Sequence, residues 1–70
     1  MTNMTIVKNL VVMGQQSEYK FTVNEDKAID LFIDGLHTDT ITDTVPVHNH
    51  IILQLIVNGL IEAWDVKEVV

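Results

Sequence analysis

Apolar residues along this chain come in short runs separated by turn signals. Thr5-Ile6-Val7 and Leu10-Val11-Val12-Met13 form the first run, closed by Gly14. Gln15-Gln16-Ser17-Glu18 follows as a polar connection. Tyr19, Phe21 and Val23 then alternate with Lys20 and Thr22. That period of two predicts a strand with one buried face. Asn24-Glu25-Asp26 marks a turn. Ile29, Leu31 and Ile33 resume the alternation against Asp30 and Asp34, with Phe32 interrupting the polar side. Asp34-Gly35 is a hairpin-turn dipeptide, because both residues tolerate positive φ.

Threonines fill the next stretch. Thr38, Thr40, Thr42 and Thr44 share one parity, while Asp39, Ile41, Asp43 and Val45 share the other. The segment is too polar for a central strand. It predicts an edge strand or an exposed loop, with the aspartates discouraging edge-to-edge pairing. Pro46 has no ladder donor and marks an edge or corner.

The C-terminal third supports two patterns. Asn58-Gly59 flanked by apolar alternation is a strong hairpin signal. A two-residue turn there pairs Val57 with Leu60, Leu55 with Glu62, Leu53 with Trp64 and Ile51 with Val66. One face then carries Ile51, Leu53, Leu55, Val57, Leu60, Trp64 and Val66, with Glu62 as the one misfit. The second pattern is helical: His50, Gln54, Asn58 and Glu62 recur every four residues as one polar stripe. Against it stand the β-branched isoleucines and valines, and a glycine in mid-helix that costs about 1 kcal/mol. The expected fold is a single small domain, mainly β. It is an antiparallel meander or half-barrel of five to six strands, completed by self-association. The alternative is α+β, with one helix over about residues 48–58 packed on a short antiparallel sheet.

Composition narrows the function classes. The chain has 70 residues, no cysteine, four basic and ten acidic residues, and a net charge of -6. Without cysteine there is no disulfide framework and no thiolate metal site. All four basic residues (Lys8, Lys20, Lys27, Lys67) are lysines. No arginine fork is present to grip phosphate or guanine, so direct nucleic-acid binding is not expected. The apolar fraction of 47% is too high for a disordered chain. A core this small supplies only about 3–5 kcal/mol, and oligomerisation is the usual remaining support. No apolar run approaches the ~20 residues of a membrane span. The N-terminus lacks the cationic start and apolar stretch of a signal peptide. The expected setting is the cytoplasm of a bacterial host cell.

Candidate chemistry is sparse. His48 and His50 stand at i and i+2 and project to one side of an extended segment, with His37 near the Thr/Asp stretch. Three imidazoles are a conceivable metal set, but histidines after a proline more simply belong to a solvated turn. Asp30, Asp34, Asp39 and Asp43 lie four or five apart without the glycine and terminal glutamate of a calcium loop. They fit a solvated edge better. Ser17 is the only serine, and no nucleophile elbow or phosphate-binding glycine motif surrounds it. No cofactor and no enzymatic activity are expected. The candidate interface residues are Trp64, Leu53, Leu55, Val57, Leu60 and Val66, because aromatic and large apolar side chains anchor protein interfaces. The acidic charge admits a further reading, an acidic nucleic-acid mimic that inhibits a host defence protein such as a restriction or CRISPR effector.

Three segments carry a family resemblance: Tyr19-Lys20-Phe21-Thr22-Val23, Ile29-Asp30-Leu31-Phe32-Ile33-Asp34-Gly35, and the stretch from Val45-Pro46-Val47-His48 through Asn58-Gly59 to Val66-Lys67. Together they resemble the small XtrA-type proteins of Gram-positive phages and prophages, over roughly residues 19–67. The shared shape is a strand, an Asp-Gly turn and a Pro-x-His corner before an apolar strand and an Asn-Gly type turn. The resemblance implies a small phage or prophage accessory protein that acts by protein–protein contact, with itself or with a host or phage protein. It brings no catalytic residue.

Overall fold

The computed structural model describes residues 4–42 and 49–68. Strand β1 (Thr5–Val12), β2 (Gln15–Val23), β3 (Ile29–Ile33) and β4 (Leu36–Ile41) come first. Helix α1 (His50–Trp64) follows, and a two-residue strand, β5 (Lys67–Glu68), ends the described chain. The five strands form one sheet in the order β4-β3-β2-β1-β5, with every neighbouring pair antiparallel.

Local chemistry explains the meander. Met13 (φ 53°) and Gly14 (φ 81°) join β1 to β2, and Asp34 (φ 52°) and Gly35 (φ 85°) join β3 to β4. Two consecutive positive φ values are the signature of the two-residue turn that matches strand twist. The first turn sets Gln15 opposite Val12 and Ser17 opposite Leu10. The polar stretch Gln15–Glu18, expected as a connection, is therefore the start of β2. Between β2 and β3, the Asn24 side chain accepts bonds from the backbone N–H groups of Asp26 (2.8 Å) and Ala28 (3.1 Å). The threonine-rich segment forms the edge strand β4 as far as Ile41, with an irregularity opposite Leu31/Phe32. Pro46 lies outside the described residues.

Alternation divides the sheet into two faces. Ile6, Leu10, Tyr19, Phe21, Ile29 and Leu31 are buried on one face, and Leu53, Val57 and Ile61 of α1 cover them. These three helical residues are four apart and form a single stripe. Asn49 caps the helix: its side chain accepts from the Ile52 N–H at 3.0 Å. Asp65, in the left-handed region (φ 54°), ends it with an N–H bond to the Glu62 carbonyl.

The C-terminal third thus takes the α+β alternative, and the hairpin at Asn58-Gly59 does not form. The helix runs through Gly59 as far as Trp64, beyond the expected end near residue 58. Strands β1 to β3 leave an apolar face that requires a cover. A further hairpin at the sheet edge would lengthen that face, whereas a helix lies across it. Burying Leu53 and Val57 contributes about 1.5–3 kcal/mol each, which exceeds the ~1 kcal/mol cost of one helical glycine. Among the described residues, no helix is long and apolar enough to cross a membrane.

Candidate functional site

Two surfaces of the described chain carry groups capable of recognition: the bare face of the sheet and the outer face of α1. On the bare face the polar side chains are largely occupied with one another. The Thr5 and Thr22 hydroxyls lie 2.9 Å apart. Asp30 Oδ1 accepts from the Thr40 hydroxyl at 2.8 Å and from Asn24 Nδ2 at 3.2 Å. His37 Nε2 lies 3.1 Å from Thr40 Oγ1 and 3.6 Å from Asp30 Oδ1. Threonine and aspartate both meet the same imidazole nitrogen. A nucleophilic triad needs them on opposite nitrogens, so this cluster ties β3 to β4. The Lys20 ammonium sits 4.7 Å above the Phe32 ring, and Phe32 lies 5.2 Å from the His37 ring.

The aspartates of the sequence pattern have local structural roles. Asp34 Oδ1 accepts the Glu18 N–H at 2.9 Å and braces the β3–β4 turn. Asp39 Oδ1 accepts the Thr40 N–H at 2.8 Å. Asp43 lies outside the described residues. Of the three histidines considered as a metal set, His37 lies on β4 and His50 opens α1, while His48 lies outside the described residues. Among the described residues no group of three or more metal-ligating side chains converges.

The six interface candidates divide. Leu53 and Val57 are fully buried against the sheet and serve the core. The hairpin pattern had placed them on one face with Leu55, but helical spacing turns Leu55 outward, 67% exposed. Leu60 and Val66 are half-buried. Trp64, 37% exposed, stacks on Phe21 with ring centroids 6.1 Å apart and tilts against Tyr19 at 6.5 Å. Val12, Tyr19, Leu31, Trp64 and Val66 line a shallow apolar groove of about 230 Å³ beside the helix end. Sequence reasoning missed β5 and its tie to the sheet, an ion pair of 3.0 Å between Lys8 Nζ and Glu68 Oε1.

The outer face of α1 is a second apolar feature. Ile51 is 69% exposed next to Leu55, whereas Ile52 and Ile56 pack in part against the core and Leu60 is half-buried. Helical spacing adds Gly59 and Ala63 to the same side. The polar stripe His50, Gln54, Asn58 and Glu62 runs along one flank. Comparison with family models, curated proteins and solved structures gives no match for this chain.

Proposed function

We propose that this chain is a non-enzymatic protein that acts through protein–protein contact, associating first with itself. The observation that carries this reading is the outer face of α1. Ile51 and Leu55 stand about two-thirds exposed on a helix whose opposite side already fills the core. Large apolar side chains grouped on one surface mark an interaction site. The size of the domain supports the same reading, because a core of nine buried side chains among the described residues leaves little stability in reserve. The resemblance to XtrA-type proteins supplies a context, that of a phage or prophage accessory protein.

Size-exclusion chromatography with light scattering tests the reading. The expected mass exceeds that of one 7.9 kDa chain and rises with concentration. A strict monomer at millimolar concentration would remove it.

A further inference from the structure

The β1–β2 turn carries a residue that its backbone does not favour. Both central positions of such a turn need positive φ, which asparagine, aspartate and glycine accept most readily. The β3–β4 turn uses Asp34 and Gly35 there, but the β1–β2 turn places Met13 at φ 53°. The Met13 side chain is fully exposed, so packing within the described residues does not offset the strain. Methionine is a flexible apolar side chain that recurs on binding surfaces.

Met13 stands at one end of a trough. The groove lined by Trp64, Tyr19 and Val12 shares Tyr19 and Val12 with a second hollow of about 470 Å³, which reaches Met13 and Asp34. The two adjoin on the helix side of the sheet, beyond the end of α1. Tyr19 lines both and is only 8% exposed. Among the described residues its hydroxyl has no hydrogen-bond partner. A buried tyrosine hydroxyl normally finds one, so the trough holds an unused polar group.

Charge states what fits. Asp34 lies at the turn end of the trough, and Asp65 follows Trp64 at the helix end. Asp34 accepts the Glu18 N–H but has no ion-pair partner among the described residues. The lysines are placed elsewhere. Lys8 is tied to Glu68. Lys20 and Lys67 stand opposite Phe32 and Val11 on the bare face of the sheet. Lys27 lies in the β2–β3 turn, at the other end of the sheet. The trough is therefore aromatic along its length and anionic at its ends. Its complement is a long basic side chain, whose stem covers apolar surface while its head meets a carboxylate. Arginine suits it best, because guanidinium both stacks on aromatic rings and forks onto carboxylate. Two adjoining hollows hold more than one side chain, as an extended segment would supply.

We infer that this trough docks an extended, arginine-bearing segment of a partner protein, with the guanidinium at Asp34 and a neighbouring apolar side chain against Trp64. The docking rests on the protein–protein reading proposed above. It uses a surface apart from the outer face of α1 and does not require self-association.

The test uses the full chain and three probes: a hexapeptide alternating arginine and leucine, the same peptide with glutamate for arginine, and arginine amide. Trp64 is the one tryptophan of the chain, so its emission reads the trough directly. The arginine peptide should change that emission saturably at up to millimolar concentration, and the glutamate peptide should not. Circular dichroism first establishes that each variant is folded. Asp34→Asn should weaken binding about tenfold, the worth of one charge-assisted bond, while its amide oxygen can still accept the Glu18 N–H. Tyr19→Phe should weaken it about threefold through loss of the hydroxyl. Asp26→Asn removes the same charge from the β2–β3 turn and should leave binding unchanged.

An emission that does not respond to the arginine peptide overturns the inference. So does equal binding of the glutamate peptide, or equal weakening by Asp26→Asn and Asp34→Asn, which would mark attraction to net charge alone. Arginine amide that binds as tightly as the peptide overturns the extended segment in favour of a small cation. Light scattering without peptide reads self-association separately, so a chain that stays monomeric yet binds the peptide keeps this inference and loses the other.

Discussion

Replacing Gly59 by alanine separates the helix from the hairpin by the sign of a stability change. In α1 the glycine sits in the helix interior with open space where a Cβ would stand. Alanine there gains helix propensity without a clash, about 0.8–1 kcal/mol. Unfolding entropy of roughly 2.1 cal/mol/K per residue amounts to about 150 cal/mol/K for a chain of 70 residues. The variant should therefore melt about 5–7 °C higher. In a two-residue Asn58-Gly59 hairpin turn the glycine would instead need positive φ, and alanine would cost about 1 kcal/mol or more. The assay is thermal unfolding followed by circular dichroism at 222 nm. Protein is held at a few micromolar, so that mass action from self-association does not enter the midpoint. A lower melting temperature in dilute Gly59→Ala would refute the helical reading of this segment.

Substitutions at three other positions test the remaining supports of the fold. Phe21→Ala removes the largest fully buried side chain and the ring on which Trp64 stacks. The expected loss of about 3–5 kcal/mol matches the whole stability of so small a core, so the variant should be largely unfolded at 25 °C, with the emission of Trp64 shifted to the red. Asn49→Ala deletes the helix cap at Ile52 and should cost about 1 kcal/mol in urea unfolding, whereas Asn49→Asp should keep most of the stability. Gly35→Ala forces a side chain into φ +85° and should destabilise by about 1 kcal/mol or more; a neutral result would count against the β3–β4 turn.

The meander was legible in the sequence because its signals are local. Alternation of Tyr19, Phe21 and Val23, and of Ile29, Leu31 and Ile33, states which face is buried, and Asp34-Gly35 states where the chain reverses. The polar character of Thr38 to Val45 pointed to an edge strand or an exposed loop, and as far as Ile41 it is the edge strand β4. Gln15–Glu18 was not legible, because the sheet end it occupies is exposed and places no apolar demand on it. Strand β5 left no pattern either, having only two residues. The exposure of the interface candidates was not legible, because it depends on the helical period of their segment. Leu55 and Trp64 lie at the surface, while Leu53 and Val57 lie in the core.

Residues 51–64 show where the sequence by itself reaches its limit. Their isoleucines, leucines and valines satisfy a period of two and a period of four, and both the Asn-Gly dipeptide and the β-branched content favour strands. Sequence determined that this segment is apolar on most sides and that the preceding strands share one apolar face. Only the tertiary structure decided between helix and hairpin, because the deciding term lies outside the segment. The face built by Ile6, Leu10, Phe21, Ile29 and Leu31 needs a cover. A helix can cover it with Leu53, Val57 and Ile61, at the cost of one unfavourable glycine. That choice turned Leu53 and Val57 inward and Leu55 and Gly59 outward, and so defined the surface on which the proposed self-association depends.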